Sequence, residues 1–173
     1  MRPRKEFTLR LSQLPKRLRR PDPNAKVVQQ LLDPLAQALA LPDGPSREAA
    51  VRSVCQAHAL AGAGPLIETL VELLGREDEP VRGRALAYLG RFGPLAMPSL
   101  SLGFVRTESA ALQRGISEAL ARIAGSLDRA QQLELVTDVT VLWRFAVEPS
   151  VRLELGKALS AVRRANEKAA RTA

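Results

Sequence analysis

The sequence predicts an all-α protein built from about four stacked helical hairpins, and three observations lead there. Its apolar bulk comes from Leu, Ala and Val: 46% of residues are hydrophobic and only 3% aromatic, a balance that favours closely packed helices over a sheet sandwich. Apolar residues recur at helical rather than alternating spacing. A third signal is internal repetition at about 30 residues, a period typical of stacked supersecondary units. The length of 173 residues gives about one domain, large enough to bury a core without disulfides.

In chain order, residues 24–41 form the first predicted helix, with Val27, Leu31, Leu32, Leu35 and Leu39 on one side. Pro34 lies inside it and is expected to kink it or divide it after Leu32 or Asp33. The run Leu41-Pro42-Asp43-Gly44-Pro45-Ser46 is the clearest turn in the chain. Further helices are expected over 47–61 and 65–75, the second opened by Gly64-Pro65. The next are 79–91, with Pro80 in its first turn, and 94–104, set off by Gly93-Pro94. Gly83 and Gly90 lower the intrinsic stability of the 79–91 helix by about 0.5–1 kcal/mol each, and close approach of a neighbouring helix is their expected explanation. Helices over 108–124, 128–146 and 149–168 complete the series, with Trp143 and Phe145 expected in a buried helical core.

Three segments align: 47–60, 78–93 and 148–162, with a degenerate fourth at 109–125. Val51, Val81, Leu112 and Val151 share one column, at spacings of 30, 31 and 39. Three residues before each stands an acid or a small polar substitute: Glu48, Asp78, Ser109 and Glu148. A carboxylate there favours the unpaired N–H groups and positive dipole end of a helix start. A hairpin with one apolar face cannot bury it alone, so stacking of consecutive hairpins is the physical solution. The pattern Asp78, Val81, Arg82, Ala85, Leu89 and the short period resemble the HEAT-like repeat family, especially its short bacterial form, over residues 46–165. That resemblance implies a right-handed α–α superhelix in which the acid and the arginine, here Arg52, Arg82 and Arg152, are structural and set the register of adjacent repeats. Gln113 stands in the arginine position of the degenerate copy and Ser109 in the acid position, so such a ladder is expected to be interrupted there.

The formal charge of +8 is unevenly placed. Residues 1–20 carry Arg2, Arg4, Lys5, Arg10, Lys16, Arg17, Arg19 and Arg20 against Glu6 alone, and residues 163–173 carry a further +3. The intervening body therefore sums to −2. The organisation expected is a flexible basic arm over 1–23, a repeat domain over 24–168 and a disordered tail over 169–173. Phe7, Leu11, Leu14 and Leu18 nevertheless share helical spacing within the arm. Docking on the first helix, binding of an acidic surface or polyanion, and organellar targeting are its three readings. Inside the body, residues 47–80 hold three basic and six acidic groups, whereas 81–125 hold six basic and two acidic.

Candidate chemistry is sparse. One Cys and one His exclude a disulfide framework and a Cys/His metal cluster within this chain. Cys55 and His58 share a helical face, but nothing in their surroundings orients them as a nucleophile and base. No His-Glu dipeptide, phosphate-binding glycine loop or calcium loop occurs, so no metal, cofactor or catalytic residue is assigned. No apolar run is long enough to span a bilayer and no signal-peptide core develops, which points to the cytoplasm. The function expected is that of a noncatalytic protein-binding scaffold whose partner presents an acidic patch, with Arg84, Arg91 and Arg122 as exposed contact candidates. The alternatives are a nucleic-acid-binding array using the arm and these arginines, and, from the family resemblance, an accessory protein like those that attach bilin chromophores.

Overall fold

A computed structural model describes residues 24–58 and 62–172, with side chains as far as Glu167. All regular structure among the described residues is helical: α1 (Ala25–Ala40), α2 (Pro45–Ala57), α3 (Gly64–Leu73), α4 (Glu79–Phe92), α5 (Met97–Arg106), α6 (Ala110–Ala124), α7 (Arg129–Leu142) and α8 (Pro149–Thr172). Short 3-10 turns over Gly93–Ala96 and Trp143–Phe145 follow α4 and α7. The basic arm expected over 1–23 lies outside the described residues. At the other end α8 continues to Thr172, past residue 168, where the repeat domain was expected to end.

The helix starts obey local chemistry. The Asp78 side chain accepts from the backbone N–H of Val81 at 3.1 Å, and the Ser109 hydroxyl accepts from that of Leu112 at 3.3 Å. Asp128 and Gln131 form a reciprocal capping box at the head of α7. Glu48 departs from the pattern, because Pro45 starts α2 earlier and leaves this carboxylate in the first turn rather than at the cap. Pro34 does not divide α1, which runs unbroken from Ala25 to Ala40. One missing N–H is tolerated because Leu31, Leu35 and Leu39 are fully buried on either side of it, each burial being worth about 1.5–3 kcal/mol.

The helices pack in two rows. Along one, α1 touches α3, α3 touches α5 and α5 touches α7; along the other, α4 touches α6 and α6 touches α8. The broadest helix–helix contact is that between α6 and α8. In the first row α1 and α3 run parallel: Asn24, just before α1, reaches Glu68 in α3, and Asp33 in α1 reaches Arg76, just past the end of α3. Val51, Val81, Leu112 and Val151 are all buried, so the column read from the repeat is a core column. The first hairpin is less regular. Val51 is the only buried residue of α2, which packs chiefly on α1.

Close approach falls at glycines other than those expected. A Cβ at Gly83 or Gly90 would meet nothing within 4 Å, so these residues face open space. Gly115 of α6 instead lies against the end of α3, where a Cβ would sit 2.8 Å from both Leu74 Cβ and the Leu74 carbonyl oxygen. At Gly103 of α5 a Cβ would stand 2.8 Å from Val71 Cγ1. Gly103 lets α5 close on α3 within the first row, and Gly115 lets α6 of the second row close on the end of α3.

Candidate interaction surface

The three arginines expected on an exposed binding surface have different fates. Arg84 is half-buried: its guanidinium donates to the Leu39 carbonyl at the end of α1 and pairs with Asp43 at 3.6 Å, so it is a clamp between α4 and the α1–α2 turn rather than an exposed contact. Arg91 is 69% exposed, lies 5.2 Å over the Tyr88 ring and pairs with Glu48 at 3.2 Å. Arg122 is 52% exposed and pairs with Glu118 one turn earlier at 3.6 Å. The middle stretch of the chain therefore does not present a bare positive stripe. Arg114 likewise reaches Glu148 at 3.3 Å, and Arg82 pairs with Glu79 inside its own helix.

These pairs also revise the expected ladder. Arg82 makes an intrahelical pair, and Arg52 and Arg152 are exposed. Links between hairpins use the acid column but arginines outside the expected one: Arg91 to Glu48, and Arg114 to Glu148. Glu48 sits among Tyr88, Arg91 and Arg47; the Tyr88 hydroxyl and then the two guanidinium groups hold its carboxyl below the usual range despite some loss of hydration. The same neighbourhood raises Tyr88, first through burial and then through the facing Glu48 carboxylate.

Gln113, where the ladder was expected to break, is the best-connected polar residue of the described core. Its amide nitrogen donates to the carbonyls of Phe104 at 3.1 Å, Phe145 at 3.1 Å and Thr107 at 3.3 Å, while its amide oxygen accepts from Val147 N–H at 3.0 Å. It is 1% exposed. An amide offers both donors and an acceptor, which arginine cannot, and here it satisfies the ends of α5 and of the turn before α8 at once. Ser101 and Asp138 form a second buried link, between α5 and α7, at 3.0 Å.

Cys55 is half-buried on α2, and burial raises its thiol above the ordinary value. His58 sits at the C-cap of α2, where the helix has already ended. Among the described residues, no three His, Cys, Asp or Glu side chains converge to hold a metal ion, and no helix is long and apolar enough to cross a membrane. Trp143 does not occupy the buried core expected for it: Phe145 is buried, but Trp143 is 41% exposed in the 3-10 turn. Leu133 on α7 and Leu153 on α8 are each 69% exposed. The last helix of each row thus carries large apolar side chains toward solvent.

A small groove opens on the first row, between α1, α3 and α5. Val28, Val71 and Leu102 line it together with Glu68 and Glu72 of α3 and Arg106 of α5. No sequence motif marked it, because its lining is contributed by three helices spread over nearly eighty residues. No family model matches this chain, and neither a curated protein nor a solved structure was found to match it.

Proposed function

We propose that this protein is a noncatalytic protein-interaction module, a HEAT-like right-handed superhelix of about four hairpins whose outer surface docks a partner bearing an acidic patch. The observation that supports it most is the two-row packing, in which α1–α3–α5–α7 and α4–α6–α8 touch in succession and leave a continuous ridged exterior. Leu133, Trp143 and Leu153 supply exposed apolar area of the kind that interfaces bury. Arg91 and Arg122 remain as charged contacts, while Arg84 is withdrawn from that role.

The nucleic-acid alternative draws less support from the same geometry. Polyanion binding relies on a net positive field, and Arg82, Arg84, Arg91, Arg114 and Arg122 each face a carboxylate. A protein partner needs shape and local exchange of such exposed pairs, which are worth about 0–1 kcal/mol each. The chromophore-attachment alternative has no particular residue here to carry it.

The test compares the full chain with Arg91→Glu/Arg122→Glu, reading cross-linked partner recovery and duplex-DNA anisotropy in parallel. The expected result is a partner cross-linked to α4 and α6 and lost in the double variant at unchanged helical content. Duplex affinity should stay in the nonspecific range, with Kd about 10⁻⁴–10⁻⁶ M at physiological salt. Tight, salt-dependent duplex binding with no protein partner would reverse the assignment.

A further inference from the structure

We infer that the turn between α7 and α8, residues 143–153, anchors the partner, and that it takes a protein segment combining carboxylates with a large apolar side chain. The inference rests on the protein-interaction reading and adds an anchor to the contacts at Arg91 and Arg122. It starts from which side chains the turn buries. Phe145, Ala146 and Val151 go into the core, which leaves Trp143 41%, Val147 40% and Leu153 69% exposed within one short stretch of chain. Arg144 and Arg152 are exposed beside them.

These two arginines differ from those of α4 and α6. Arg82, Arg84, Arg91, Arg114 and Arg122 each face a carboxylate, whereas among the described residues no carboxylate pairs with Arg144 or Arg152. Glu148 is the only acid between 143 and 153, and it is taken up by Arg114 and by the Ser150 hydroxyl. The turn thus keeps two uncompensated positive charges among apolar side chains. Tryptophan and arginine are the residue types that most often dominate binding energy at interfaces, and a carboxylate is the group that a guanidinium holds through two parallel hydrogen bonds. Trp143 lies at most about 14 Å from Val147 along the chain, and Leu153 stands about 6 Å along α8 from Pro149, so one short segment of a partner reaches the whole site. The backbone beneath is already fixed. Gln113 donates to the Phe145 carbonyl at 3.1 Å and accepts from the Val147 N–H at 3.0 Å, so little ordering cost falls on binding. A nucleic acid would use the two charges alone and leave the apolar side chains uncovered. A second copy of the turn would bring the same positive charge to meet its own.

The test selects short peptides from a random displayed library against the full chain and reads their binding on Trp143, its only tryptophan, by fluorescence. Selected peptides are expected to combine Asp or Glu with a large apolar residue, to shift Trp143 emission to the blue with saturation, and to shield it from acrylamide quenching. Arg144→Gln/Arg152→Gln and, separately, Leu153→Ser should each weaken the same peptides by about tenfold or more at unchanged helical content. Should either variant fold poorly, shielding of Trp143 in the unaltered chain still decides whether the turn is covered. Peptides that bind while Trp143 emission and quenching stay unmoved overturn the site but leave the interaction reading intact; that reading falls when the Arg91→Glu/Arg122→Glu comparison also recovers no partner. Enrichment of no peptide, or of peptides without acids, overturns the inference as well. So does an equal Trp143 shift with duplex DNA, or a shift that grows with protein concentration in the absence of peptide, because the occupant is then a nucleic acid or a second copy.

Discussion

Gln113 shows how much one side chain can hold. Its carboxamide meets the backbone at Phe104, Thr107, Phe145 and Val147, joining the end of α5 to the turn that leads into α8. A leucine would match its bulk and leave buried carbonyls and an N–H without partners, each at a cost of about 1–3 kcal/mol. Gln113→Leu is therefore expected to lower unfolding free energy by about 2–4 kcal/mol in urea titrations. A loss below about 1 kcal/mol would mean that water or relaxed backbone takes over these bonds. The sequence pointed to position 113 only as a gap in an arginine ladder. Its true role depends on backbone atoms 6 to 34 residues away, which periodicity cannot reveal.

At the level of elements, glycine placement separates helix propensity from helix packing. Gly90 of α4 sits in ordinary helical conformation with open space where a Cβ would be, so Gly90→Ala should raise stability by about 0.4–1 kcal/mol by restricting the unfolded chain. Gly115 meets the Leu74 backbone, which has nowhere to go inside a packed row, and Gly115→Ala should destabilise by about 1–3 kcal/mol. Thermal unfolding of the two variants should thus shift in opposite directions. Most helices themselves were legible, because apolar spacing, Pro at first-turn positions and the Asp78 and Ser109 caps are local signals. Pro34 was misread for the converse reason. The cost of an interior proline is local, but Leu35 and Leu39 offset it by joining a core shared with other helices.

Across the whole molecule, one apolar cluster runs from Leu35 on α1 to Val162 on α8, touching both rows. A continuous core of this kind should unfold as a unit, although stacked repeats can come apart in longer arrays. Calorimetric and van't Hoff enthalpies are expected to agree, and a separate early transition would show that the sparsely buried α2 end melts independently. Charge has to be considered at this scale too. The body of −2 left the positive charge chiefly to the chain ends, with one basic stretch over 81–125, and there Arg82, Arg84, Arg91, Arg114 and Arg122 each turn to a neighbouring carboxylate. The sequence by itself determined the helical class, the approximate position of every described helix and the buried column at Val51, Val81, Leu112 and Val151, because helix formation and amphipathic burial are governed by spacings of three and four residues. Only the tertiary structure decided that Arg84 is a clamp, that Gln113 ties two chain turns together, and that Gly103 and Gly115 are glycines of close approach, because each of these depends on which distant backbone the folded chain brings within a few ångströms.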